Sequence, residues 1–317
     1  MLSNAVSYRM GLTATPIYNY GDEMWHIMQF IDEAALGSWD EFSREWCHVV
    51  GSKWRITDPK ALGTYMREQH VLLRRTKADV GLQLPKVSRI VEHIDYDQKA
   101  VAAVDDMARM LAIKATSGSF IERGSAARDL DVMMRQTTGV AKAKSVAMFA
   151  RLLVEAGEPV IIWGWHREVY EIWNKELSDL NPAMYTGSET AGKKDKELQR
   201  FLNKETDILF MSLRSGAGVD EIQHRCSTGI FGELDWSPGI HQQCIWRLDR
   251  EGQQNPVTAF FLVTDDGSDP PMMDVLGIKS SEASQIIDPY LGVQVVDTDT
   301  THLRRLVERY LSTKNAT

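Results

Sequence analysis

Residues 159–180 read PVIIWGWHREVYEIWNKELSDL, and this stretch decides the fold. Val160 to Trp163 is a short apolar run closed by Gly164, the pattern of a buried strand. HREVYEIWNKELSDL then carries apolar residues at helical spacing. The pairing recurs downstream as AMYTG with KKDKELQRFLNK, DILFMS with a glycine-bearing loop, STGIFGE with GIHQQCIWRLDR, and finally VTAFFLV. Strands and helices alternating at these lengths predict an α/β fold, a parallel sheet covered by helices on both faces. Ligands of such sheets bind beyond the carboxyl ends of the strands.

Upstream the pattern is less regular. Residues 1–96 mix a short apolar strand and loop with helices, Met24, Ile27, Met28 and Ile31 marking one helix and KALGTYMREQHVLLRR another. LPKVSRIVEHIDYD reads as a strand with imperfect alternation. Residues 97–156 read as predominantly helical, with a loop expected at TSGSFIERGS, and HLRRLVERYL reads as an amphipathic helix near the C-terminus.

A chain of 317 residues, 43% hydrophobic, can bury one or two cores. Its apolar runs are far below the roughly 18 to 20 residues of a membrane span, and no basic segment leads into an apolar core at the N-terminus. Cys47, Cys226 and Cys244 are odd in number and widely spaced. They read as buried thiols of a reducing compartment, which predicts a cytoplasmic protein without zinc or disulfides. The net charge of −8 argues against a protein that coats nucleic acid non-specifically. The charge is uneven, with eight Lys and Arg against three acids in residues 107–151 and eight acids against Lys279 alone in residues 265–301. That leaves open either a phosphate-facing groove or two solvated faces of opposite sign.

Several constellations could carry chemistry. Gln243, Arg247 and Arg250 fall at i, i+4 and i+7 of an expected helix, which would place them on one face. Paired guanidiniums suit phosphate oxygens, although a surface network with Asp249, Glu251 or Asp235 would also account for them. MSLRSGAGVDE ends a strand in a loop with Gly216 and Gly218, where backbone N–H groups could approach a phosphate and Ser212 and Ser215 could add hydroxyls. An ordinary tight turn explains the same residues. GSETAGKK, residues 187–194, nearly completes a phosphate-binding lysine loop, but Lys194 stands where Mg²⁺ needs a hydroxyl, and we read it as a decoy. DEAA at residues 32–35 reads as part of a helix, and His166 and His224 as structural, having no second ligand at metal spacing.

In order along the chain, LTATPIYNYGDEMWHIMQFI, LLRRTKADVGLQLPK, PVIIWGW, YTGSETAGKKDKELQRF, FMSLRSGAGVDEIQ, ELDWSPGIHQQCIWRLDREGQ and VTAFFLV resemble blocks of the Swi/Snf-type family of double-stranded DNA translocases, RecA-like superfamily-two helicases. The wording of GWHREVY and FGELDWSPG is similar to a bacterial or phage-encoded branch. The resemblance implies ATP and Mg²⁺ bound between two RecA-like lobes, double-stranded DNA as partner, and no membrane. It further implies residues 1–96 as the C-terminal part of lobe 1, 97–137 as a helical insertion, 138–275 as lobe 2, and 276–317 as an acidic segment with a final helix. The family's glycine-rich lysine loop and acidic Mg²⁺ motif precede Thr-x-Thr-Pro and are not found in these 317 residues. A polypeptide carrying lobe 1, from the same or a split gene, is therefore an implied partner, and the isolated chain is expected to be inactive.

The resemblance also implies roles by position. Arg250 matches the arginine finger, Arg247 its pair and Gln243 a polar partner. Ser212, Arg214, Gly216 and Gly218 match the loop linking nucleotide to DNA backbone, with Asp220 where many relatives carry Asn. Trp236 matches a DNA-proximal tryptophan, Ser237 replacing the usual Asn. Thr13 and Thr15 match the residues that couple hydrolysis to lobe movement, with Ala14 for the commoner Gly. The competing expectation is a non-catalytic DNA-binding or regulatory module that kept the lobe fold.

Overall fold

A computed structural model describes residues 6, 8–13, 15–17, 20–50, 53–117, 119–214, 219–274, 276–277 and 286. They form two compact units, one of residues up to Gln83 with Trp236–Gln243 and the described residues of Asp274–Val295, the other of Leu84–Asp235 and Cys244–Met273. The expected helix at residues 302–311 and nearly all of the acidic segment lie outside the described residues.

In the first unit, helix α1 (Glu23–Ile31) buries Met24 and Met28, four residues apart on one face. Helix α2 (Trp39–Trp46) starts at Ser38, whose side chain accepts from the Glu41 N–H while Glu41 reaches back, a reciprocal cap. A two-stranded antiparallel hairpin, β1 (Cys47–Val50) and β2 (Lys53–Ile56), leads to α3 (Pro59–Glu68), which is capped by Asp58 and opened by Pro59. Ile17, Met24, Met28, Phe42, Leu62 and Met66 form the core with Ile286.

Three readings of this unit are corrected. No strand forms among residues 8–13, where Tyr8, Met10 and Leu12 are exposed and no neighbouring strand pairs with them. DEAA is not helical, because α1 ends at Ile31 and the Asp32 carboxylate accepts the Ala34 N–H in a turn. The helix expected through Arg75 stops at Glu68, and His70 takes a left-handed φ of 59° just beyond it.

The second unit holds a six-stranded, wholly parallel sheet. Its strands are β3 (Val87–His93), β4 (Val160–Gly164), β5 (Ala183–Tyr185), β6 (Ile208–Ser212), β7 (Thr228–Phe231) and β8 (Val257–Val263), in spatial order β3-β8-β7-β4-β6-β5. Every residue of β4, β6 and β7 is buried, which explains their continuous apolar character. β3 is an edge strand in which Ile90 and Glu92 alone are buried, hence its imperfect alternation. It pairs with β8 along all of Val87–His93, so the last strand of the expected 1–96 segment belongs to this sheet.

Helices α4 (Gln98–Ala102) and α5 (Asp105–Ser117) precede α6 (Phe120–Glu155), a 36-residue helix that runs unbroken through the boundary expected at 137–138. The loop expected at residues 116–125 shrinks to the residues around Ser119. Ser119 and Glu122 form a second reciprocal cap, which starts α6 early enough to absorb Gly124. α7 (Arg167–Glu176) and α8 (Ala191–Leu202) complete the crossovers. Tight packing has a glycine requirement: a Cβ on Gly229 would sit 2.2 Å from the Trp163 ring, which stacks on Phe231.

Candidate functional site

The carboxyl ends of β4, β6 and β7 are adjacent, and the chain reverses direction across the sheet at β4. From β4 it moves to β5 and back to β6, then crosses to β7 on the other side. Such a reversal opens a crevice at the strand ends. The loops after β6 and β7 carry most of the residues singled out from sequence.

The arginines do not share a helix face with Gln243. Helix α9 (Pro238–Ile245) ends before them, and Arg247 and Arg250 lie in the successive turns that follow. The helix stops at Ile245, and Leu248 and Asp249 N–H both donate to the Ile245 carbonyl in the turns beyond it. Both guanidiniums nevertheless converge on one segment. Arg247 donates to the Val219 carbonyl at 2.9 Å, and Arg250 donates to Asp220 Oδ1 at 2.7 Å. Burial, and next the Arg250 charge, pulls Arg247 below its usual pKa. The Glu221 N–H and then Arg250 hold the Asp220 carboxyl below its ordinary range. Glu221 itself takes a left-handed φ of 71°, and its N–H donates to Asp220 Oδ1.

Asp220 is thus the ion-pair partner of Arg250, in place of Asp249, Glu251 or Asp235 as partners of a surface network. Gly216 and Gly218 lie outside the described residues, as does Ser215. In the first unit, the Gln243 amide donates to Thr15 Oγ1 at 2.9 Å, and the Thr15 N–H donates to Thr13 Oγ1 at 3.1 Å, so these three are brought together. Ala14 is outside the described residues. Trp236 is partly buried.

Ser212 ends β6, buried, and its hydroxyl accepts the Arg214 N–H. Arg214 is held by Asp235 at 2.9 Å and lies over the Trp165 ring, 5.1 Å from its centroid. Sequence reading missed the residues behind this pair. Glu233, nearly fully buried, accepts the Trp165 and His166 N–H groups at 2.6 and 2.9 Å and contacts His166 Nδ1 at 2.6 Å. Arg135 donates to the Leu234 carbonyl and lies 4.0 Å from Asp235. The signal was present: two acids directly after an apolar strand, in GELDW, need buried partners.

The near-match at residues 187–194 is built around a carboxylate. Glu189 Oε2 accepts both the N–H and hydroxyl of Thr186, filling the loop with an anion of its own. Among the described residues no group of three or more His, Cys, Asp or Glu could hold a metal. Cys226 and Cys244 are buried, Cys47 is half-buried, and no disulfide forms. No helix among the described residues is long and apolar enough to cross a membrane.

Residues 2–141 match the SNF2-related domain family. The chain is 24% identical over 292 residues to the DNA excision repair protein CSB of Oryza sativa, covering 81% of this chain and 24% of that protein. It is 25% identical over 295 residues to the probable ATP-dependent DNA helicase CHR23 of Arabidopsis thaliana, covering 82% and 27%. It is 22% identical over 289 residues to the uncharacterized ATP-dependent helicase YqhH of Bacillus subtilis, covering 81% and 50%. The chain therefore spans about a quarter of the first two relatives and half of the third. Plants and a bacterium both appear, so these relatives single out no bacterial or phage branch.

Among solved structures, the Sulfolobus solfataricus SWI2/SNF2 ATPase core superposes with a TM-score of 0.53 at 17% identity, over 90% of this chain and 62% of that one. The same core in complex with dsDNA gives 0.53 at 21%, over 94% and 66%. The alternation predicts the parallel α/β sheet, and the fold is that of SWI2/SNF2 ATPase cores, RecA-like, as the resemblance implies.

Proposed function

We propose that this chain is the C-terminal portion of an ATP-dependent double-stranded DNA translocase or helicase. It supplies Arg250 as the arginine finger, Arg247 as its pair and part of the DNA track. The observation that carries the reading is the convergence of Arg247 and Arg250 on Val219 and Asp220. Two cations held on a carbonyl and a carboxylate, after a strand of a parallel sheet, are arranged to exchange those acceptors for phosphate oxygens.

Arg247 and Arg250 suit the phosphates of ATP, and the carboxylates that hold Mg²⁺ are expected on the first lobe. Bound ATP would supply the transferable phosphoryl group, and Arg250 would neutralise charge on it. Arg247 would hold position from its more buried site. Thr13, Thr15 and Gln243, joined by hydrogen bonds, would couple hydrolysis to movement, and by the resemblance Ser212 and Arg214 would contact DNA in their unit and Trp236 in its own. The lysine loop and Mg²⁺ carboxylates would come from a polypeptide carrying the first lobe, whether encoded upstream in the same gene or separately.

The test is DNA affinity and hydrolysis by the chain alone. Binding should weaken steeply between about 50 and 200 mM salt, as several phosphate contacts require, with no ATP turnover. A salt-insensitive, sequence-specific complex would replace the motor reading with a dedicated binding module.

A further inference from the structure

Four apolar side chains at the start of the first unit stand in solvent. Val6, Tyr8, Met10 and Leu12 are 52, 94, 77 and 86% exposed, and they recur at every second position. A period of two belongs to one face of a strand and does not fit a helix. The other side of the same segment is tied down. Arg9 donates to the Phe30 carbonyl at 2.9 Å, and a Cβ on Gly11 would lie 3.1 Å from Ile31 Cδ1, so the segment runs against the last turn of α1. One face is therefore covered from within this chain. The other is bare, and among the described residues no strand pairs with residues 8–13. A strand of a parallel sheet needs cover on both faces and neighbours along its edges, and a bare apolar strand is a template for pairing with another chain.

We infer that residues 6–13 are a docking strand, which enters the parallel sheet of a first-lobe polypeptide and buries Val6, Tyr8, Met10 and Leu12 under that polypeptide's helices. The inference rests on the motor reading above and adds the surface by which the two parts join. The occupant follows from the shared fold. This chain superposes over 94% of its own length but over 66% of the Sulfolobus solfataricus core with dsDNA, so part of such a core has no counterpart here. A strand followed by a loop and a helix is the repeating piece of a parallel sheet, and residues 6–13 with α1 supply one such piece ready to be added. A second copy of this chain fits less well, because two bare strands would make a two-stranded ribbon, which is marginal by itself. Thr13 and Thr15 lie at the end of the segment, so docking would also set them at the carboxyl edge of the partner's sheet, where its phosphate loop is expected.

The probe is the polypeptide encoded directly upstream of this chain in its own genome, made separately. Binding to the full chain is measured by titration calorimetry and backbone hydrogen exchange, and hydrolysis by phosphate release with duplex DNA. Amides of residues 8–13 should exchange about a hundredfold more slowly in the complex than in the chain alone. Met10→Asp/Leu12→Asp should weaken binding about a hundredfold or more, because burying each such side chain is worth roughly tenfold or more in affinity. Met10→Val/Leu12→Val, which keeps the face apolar, should retain most of the binding. Neither variant should shift the melting temperature of the chain alone, where both side chains are exposed. A mixture that hydrolyses ATP while Met10→Asp/Leu12→Asp binds as tightly as the parent would overturn the docking strand and leave the motor reading intact. Concentration-dependent protection of residues 8–13 in the chain alone would assign the strand to a second copy and overturn the inference as well. Neither binding nor hydrolysis in the mixture would overturn both readings.

Discussion

Replacing Lys142 by Met tests how the second unit is held together at the strand ends. Lys142 is 1% exposed in the middle of α6, and its Nζ lies 2.6 Å from the Leu262 carbonyl and 2.7 Å from Asp269 Oδ2. The same carboxylate oxygen accepts the N–H and hydroxyl of Thr264 at 3.0 and 3.2 Å. The network ties α6 to the exit of β8, and the Ser268 N–H to Thr138 Oγ1 bond adds a second tie nearby. Methionine keeps nearly the same volume, so packing should cost below about 1.5 kcal/mol. The larger loss comes from stranding the buried Asp269 carboxylate with two neutral donors, and breaking a buried pair from one side costs about 3 to 5 kcal/mol. In a unit of this size each kcal/mol moves the melting temperature by about 2 to 4 °C, so a fall of roughly 6 to 20 °C is expected. Urea titration followed by circular dichroism would measure the free-energy loss, and a thermal melt the shift. Lys142→Met/Asp269→Leu should recover much of the loss, because removing both charges removes the desolvation cost. A single variant within about 1 kcal/mol of the parent, or a double variant that merely sums the two losses, would refute this account of the network.

Other outcomes follow from local geometry. Gly229→Ala should cost about 1 to 3 kcal/mol in urea unfolding, since its Cβ would meet the Trp163 ring at 2.2 Å. Glu221→Gly should stabilise the unit by up to about 1 kcal/mol by relieving the left-handed φ, seen as a higher melting temperature. Burial raises the Cys226 thiol to about 12, and Cys244 is raised too, so native alkylation at pH 8 should label Cys47 first by mass spectrometry. Because the folded Cys226 value lies above the ordinary 9.0, its contribution to stability is complete below pH 9 and is lost as pH rises toward 12, measurable as a falling melting temperature.

The central sheet was readable because β4, β6 and β7 are buried on both faces, and such strands must be continuous apolar runs. β3 was readable as a strand but not as a member of that sheet, since a parallel partner such as β8 lies far away in sequence. The hairpin of β1 and β2 escaped notice because strands of four residues are too short for a hydrophobic period to stand out, even though Lys53 to Ile56 alternates. At the site, residue type outran geometry. Arginines in WRLDRE announce an anion, yet the end of α9 at Ile245 depends on tertiary contacts and carries no glycine or proline signal. Glu233 and Asp235 show why supporting residues are harder to read, since nothing local says which exposed side chain a buried acid will hold.

The most direct measurement is DNA-stimulated ATP hydrolysis after mixing this chain with a polypeptide that carries the lysine loop and Mg²⁺ carboxylates of a first lobe. The account predicts no turnover by either part alone, turnover by the mixture, and a loss of about 10³-fold or more with Arg250→Ala, the low end of what an arginine finger contributes. Hydrolysis by this chain alone, or a mixture in which Arg250→Ala retains the parental rate, would contradict it.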